Sequence, residues 1–174
     1  VSYDYELLNY SLPLIYNEAD EIILAIDKNR QTWAGNKFQI AQSFFENIKK
    51  ADVKNKIIIY EEKFYEEGLS ASECEAKERI MLSKKMGEGG WQIQLDTDEY
   101  VINFNGFISV LKQLENRFRK KQISVSCKFI SLFKQTEAGI LLVKDSGEYY
   151  TIACNYCNIS GGRNAPSHIK IMTS

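Results

Sequence analysis

Gly89-Gly90-Trp91-Gln92-Ile93-Gln94-Leu95-Asp96-Thr97-Asp98-Glu99 is the stretch whose reading decides the fold. The part up to Leu95 has the apolar content and the glycine-marked start of a short buried strand. Two carboxylates one residue apart then close it. Like charges held this close repel, so something must offset them. A divalent cation does so well, because carboxylate oxygens are the hard ligands that Mg²⁺ and Mn²⁺ prefer. The sharp reading is a metal site that holds a diphosphate. The plain alternative is a solvated acidic turn at a strand end.

Working outward, apolar runs alternate with helical patterns. Residues 2–18 read as partly helical, with Pro13 interrupting. Glu21-Ile22-Ile23-Leu24-Ala25-Ile26-Asp27 reads as a buried strand that also ends in an acid. A polar loop over 28–38 carries Trp33 and Gly35. Ile40, Phe44, Phe45 and Ile48 mark one face of a helix over 39–50. Lys56–Tyr60 reads as a second strand, and 61–70 as a long acidic loop. Ser70 or Ser72 caps a helix over about 72–87 that glycines terminate. After Asp96 come Phe104, Phe107, Ile108, Leu111, Leu114 and Phe118 at helical spacing. Strands are expected at 123–134, 140–144, 149–154 and 168–172, with Glu137-Ala138-Gly139 as a hairpin turn.

This order predicts an α/β protein: a three-layer α/β/α open mixed sheet, built as one domain over 1–174. In such sheets ligands bind beyond the carboxyl ends of the strands. Asp27 and Asp96 both stand at such ends, which favours the metal reading of the acidic pair. A formal net charge of −1 gives no general attraction to nucleic acid, and no apolar run is long enough to cross a bilayer. The chain opens at Val1 without Met, so it reads as an excised segment.

Four sparse, irregularly spaced cysteines, Cys74, Cys127, Cys154 and Cys157, read as reduced thiols. The expected location is therefore the cytoplasm, free or peripheral at the inner membrane face. Cys154-Asn155-Tyr156-Cys157 lacks the second ligand pair that zinc requires. It also follows a strand, whereas a redox motif needs a helix opening at its first cysteine.

The order of an Asp-ended strand, a helix, a strand, an Arg-bearing helix, Gly-Gly-Trp, a strand and Asp-x-Asp resembles the GT-A glycosyltransferases, in particular the family 2-like group. The resemblance covers about 20–107. Its most specific part runs from Glu78-Arg79 through Trp91 to Asp96-Thr97-Asp98-Glu99-Tyr100. It implies a nucleotide-diphosphate sugar donor, a carbohydrate or lipid-linked acceptor hydroxyl, an inverting outcome, and Mn²⁺ or Mg²⁺ as cofactor. By position, Asp27 matches the acid that meets the base or ribose, and Arg79 the basic residue near the diphosphate. Asp96 and Asp98 match the Asp-x-Asp pair, the second acid on the metal and the first toward the ribose or the metal waters. Glu99 matches an additional acid of Asp-x-Asp-Glu variants.

The family opens with a strand carrying Pro-x-x-Asn-Glu. Pro13–Glu18 fits that pattern superficially, but then no strand would remain for the nucleotide-binding acid before Lys56. Glu21–Asp27 is therefore read as the second strand, with the first missing or displaced. The base that deprotonates the acceptor is sought downstream, at Glu148 or Asp145, and His168 is a candidate further metal ligand.

Each residue also has a plainer reading. Asp27 serves equally as a strand-end residue opening a turn. Arg79 serves as a surface residue paired with Glu75. Trp33 and Trp91 are candidate stacking groups, with Trp91 better placed for the core, and Gly161-Gly162-Arg163 is a weak phosphate signal. A fragment that binds nucleotide without turnover is the alternative function. A haloacid dehalogenase-type phosphatase fits less well, because there the motif opens the domain with a nucleophilic first Asp. A calcium loop fails because Val101 stands where glycine is required.

Overall fold

The computed structural model describes residues 1–143 and 149–157. A 3-10 turn over Tyr5–Leu7 leads into α1 (Leu8–Ile15) and then β1 (Ile22–Asp27). α2 (Gln42–Ala51), β2 (Ile57–Glu62), α3 (Ala71–Met86), β3 (Gln92–Ile93) and α4 (Phe104–Arg117) follow. The last described part holds β4 (Ser124–Lys128), β5 (Leu132–Thr136), β6 (Gly139–Leu142) and β7 (Tyr149–Cys154). The chain is thus of mixed α/β class. Among the described residues no helix is long and apolar enough to cross a membrane.

β1 and β2 pair in parallel, Ile22 opposite Ile57 through Asp27 opposite Glu62. Parallel pairing requires a crossover, and α2 supplies it. Ile22, Leu24 and Ile26 project to one face of β1, where they pack with Leu8 and Leu12 of α1 and Phe44 and Ile48 of α2. α3 packs against β1 as well. Every residue of β1 except Ile23 is buried, which matches its unbroken apolar run.

The single open sheet expected from the sequence is not formed among the described residues. β1 and β2 make one two-stranded sheet, β3, β7 and β4 make a second in that order, and β5 and β6 make a third. β7 runs antiparallel to both of its neighbours. The strand expected before Asp96 shrinks to Gln92–Ile93 in register with β7, and Gln94 adds one further bond to Ile152. The strand expected over 123–134 divides into β4 and β5.

Two further readings change. Pro13 does not interrupt the first helix but lies inside α1, on its exposed side. The chain from Pro13 to Glu18 is therefore helix and turn rather than a strand. β2 continues to Glu62, which shortens the acidic loop. The strand expected at 168–172 lies outside the described residues. The remaining helices fall within a few residues of their expected positions, and Glu137-Ala138 does turn β5 into β6.

Candidate functional site

α3 positions the centre of the site. Ser70 starts the helix with a reciprocal cap: its Oγ accepts from the Glu73 N–H, and the Glu73 carboxylate accepts from the Ser70 N–H at 2.8 Å. Two turns on, the helix buries Arg79 to 5% exposure. A guanidinium leaves water only with partners, and this one has two carboxylates. Its Nε donates to Glu75 at 2.8 Å, one helical turn back. Its Nη2 donates to Asp96 at 3.1 Å. The i−4 pairing with Glu75 is thus present, but on a buried face, and Arg79 also reaches the first acid of Asp-x-Asp.

Farther along α3, Gln92 ties β3 to the helix. Its Nε2 donates to the carbonyls of Ser83 at 3.0 Å and Gly87 at 2.6 Å. Its Oε1 accepts from the Ser83 hydroxyl. These bonds fix the start of β3, and so where Asp96 emerges.

The loop after β1 closes on the same helix. Gln31 and Lys37 bridge, and Thr32 pairs with Asn36, so the loop is a small hairpin with Trp33 near its tip. Gly35 has φ of +82°, and the Tyr65 ring lies 3.0 Å from where a Cβ would stand. A side chain there would be strained twice over. The Trp33 indole N–H donates to the Glu78 carboxylate at 2.6 Å, and the Arg79 guanidinium sits 5.9 Å from the Trp33 ring centre. Burial pushes the Glu78 carboxyl above its usual range, and nearby Asp96 pushes the same way. The chain's amino terminus, the Trp33 bond and Arg79 oppose the shift without cancelling it.

Asp96–Glu99 forms a turn in which the Glu99 N–H donates to the Asp96 carbonyl at 3.1 Å. The Glu99 carboxylate returns the contact by accepting from the Asp96 N–H at 3.0 Å. Glu99 therefore shapes the turn. Asp98 is exposed at its apex, while the Asp96 side chain is 37% exposed. Asp27, Trp33, Glu78, Arg79, Asp96, Asp98 and Glu99 all line one cavity of about 1180 Å³. No family model matches the chain, and neither does any curated protein or solved structure.

Asp27 has a different set of contacts from the ribose contact expected. One carboxylate oxygen accepts from the N–H groups of Asn29 (2.8 Å) and Gln31 (3.3 Å). The other accepts from Phe64 (2.9 Å) and Tyr65 (3.1 Å). At 4% exposure the side chain is a clasp between the loop after β1 and the segment after β2.

The donor set for a cation is two-membered. Among the described residues no three His, Cys, Asp or Glu side chains come together as a metal cage. Asp96 and Asp98 on one open turn suit Mn²⁺ or Mg²⁺, which keep several waters and take one or two carboxylates plus substrate phosphates. Glu148, Asp145, His168 and Arg163 lie outside the described residues.

Glu75 reads from the sequence as the partner of Arg79 and Trp33 as a stacking group; Glu78, and its bond to the Trp33 indole, are what the sequence did not single out. The available signal was the Glu75, Glu78, Arg79 spacing, which puts all three on neighbouring positions of one helix face. Cys154 ends β7, and Cys154 and Cys157 are free thiols.

Proposed function

We propose that the chain is a metal-dependent glycosyltransferase domain of the GT-A type. On this reading it moves a sugar from a nucleotide-diphosphate donor to an acceptor hydroxyl, within a three-layer α/β/α sheet. One observation carries it: Arg79, buried on α3, joins the turn of Asp96 and Asp98 to the Trp33 loop at the rim of a single large cavity. A leaving diphosphate needs its growing charge stabilised; Asp96 and Asp98 would hold a divalent cation, which would supply Lewis-acid stabilisation there. Arg79 lies beside that turn and supplies a second positive charge for a phosphate.

Trp33 offers a flat apolar face for a base or sugar, and Asp27 supports it by holding its loop. Asp27 thus acts through backbone geometry, a change from the direct ribose contact expected. The acceptor's proton passes to a carboxylate, for which Glu148 and Asp145 remain the candidates.

The test is thermal unfolding with UDP or GDP, with and without Mn²⁺. Ligand that binds only the folded state raises the midpoint by mass action. A rise is expected only when nucleotide and Mn²⁺ are both present, and Asp98→Asn should abolish it. A rise that survives in Asp98→Asn removes Asp98 from the metal site. Nucleotide binding without release of sugar from a donor assigns binding alone. Hydrolysis of a simple phosphate ester with no nucleotide effect assigns a phosphatase instead.

A further inference from the structure

The cavity is larger than the roughly 300–1,000 Å³ of ordinary ligand clefts, and its walls explain why. It is lined by β1 (Ile22, Ile23, Ala25) and also by the β3 stretch (Trp91, Ile93, Leu95). Both strands have an open edge toward it. Along β1 the Ile22 N–H donates to Lys56, and the Lys28 N–H just beyond the strand donates to Glu62. Even-numbered residues therefore face β2, and Ile23, Ala25 and Asp27 face away from it.

Along the β3 stretch Gln94 donates to Ile152 of β7, so Ile93 and Leu95 face away from β7. Ile23, Ile93 and Leu95 have no backbone partner among the described residues. The Trp91 indole N–H is buried and also lacks an acceptor there. Ile23, Ile93 and Leu95 are half-buried, and an open strand edge is a template for another strand, so two such edges on one cavity mark a place for one.

The ends of the strands give the direction. The loop after β1 and the turn after β3 both reach α3, through Trp33 on Glu78 and Asp96 on Arg79. The carboxyl ends of β1 and β3 thus lie on the same side. Between those ends runs the start of the chain. The Val1 amine donates to the Ala25 carbonyl at 2.8 Å, and Asp4 accepts from the Thr97 hydroxyl just beyond β3. Val1–Asp4 therefore already spans from one open edge to the other.

We infer that the cavity between β1 and β3 takes one further extended strand, parallel to both, apolar in composition and entering through Val1. The Val1–Ala25 bond is its last rung, and its other rungs fall on Ile23 of β1 and on Ile93 and Leu95. It merges two separate sheets into one, in the order β2, β1, inserted strand, β3, β7, β4. This inference does not depend on the transferase reading, since it rests on backbone pairing alone.

The experiment is amide hydrogen exchange on the chain with a Val/Ile-rich pentapeptide fused before Val1, against a Gly/Ser pentapeptide fused at the same place. The apolar fusion should slow exchange at Ile23, Ala25, Ile93 and Leu95 by about tenfold or more, the effect of placing open groups in a ladder. Because a fusion can impair folding, the same apolar pentapeptide is also added separately to the unaltered chain. Selective protection in either format supports the slot. Absence of protection in both overturns it. So does equal protection by the Gly/Ser fusion, or slow exchange of these amides in the unaltered chain, which would mean that the edges already have partners.

Discussion

Arg79 sits between Glu75 and Asp96, and Glu78 sits beside it with a carboxyl that burial makes reluctant to ionise. A raised folded-state pKa means that the folded protein holds the proton more tightly than the unfolded chain. The associated stability is complete below the ordinary value of 4.5 and is lost as pH rises through the raised one. Glu78→Gln keeps an acceptor for the Trp33 indole but cannot ionise. Thermal melts should therefore show the variant gaining on the parent as pH rises above that ordinary value of 4.5. A variant that falls behind over the same range would mean that the ionised carboxylate is the favoured partner of Arg79. Only part of this was legible in the sequence. The spacing of Glu75, Glu78 and Arg79 showed one helix face, but not that the face is buried, because a polar stripe normally marks solvent. The carboxylate of Asp27 was visible as a strand end. Two of its four backbone donors, Asn29 and Gln31, are local and fit the turn reading; the other two, Phe64 and Tyr65, come from a distant segment that no local pattern encodes.

Elements were easier to read where local chemistry settles them. β1 and α4 carry unambiguous apolar periods, and α3 announces its start with Ser70 and Glu73. Ser70→Ala should cost about 1 kcal/mol, since it removes one half of the cap. Ser70→Gly should cost only a few tenths of a kcal/mol, a difference that urea unfolding can resolve. Equal losses would mean that the hydroxyl contributes little. β3 was legible only in part: its apolar run is longer than its pairing, because strand length depends on a neighbour and β7 takes two of its residues in register and one more bond from Gln94. Pro13 misled for the opposite reason. Tertiary burial of Leu8, Ser11 and Leu12 holds α1 together across the missing N–H.

At the scale of the whole molecule, stability is unevenly spread. β1 has helices packed on it and contains the fully buried Ile26. The β5–β6 hairpin has Phe133 at 72% and Ile140 at 58% exposure and pairs with no other strand among the described residues. An isolated hairpin is marginal in water. Its amides should exchange almost unprotected while those of Leu24 and Ile26 remain slow; comparable protection would mean that the hairpin is held by something other than its own pairing. No local pattern warns of this contrast, since Ile140-Leu141-Leu142-Val143 reads as apolar as β1.

The Asp27 clasp has its own outcome for motion. One side chain secures both the Trp33 loop and the segment at Phe64 and Tyr65, so the loop is not free to swing like a hinged flap. Any opening that admits a bulky molecule past Trp33 must either carry Phe64 along or give up donors to a buried anion. Entry at that rim is consequently governed by the loop after β1 and the segment after β2 moving together.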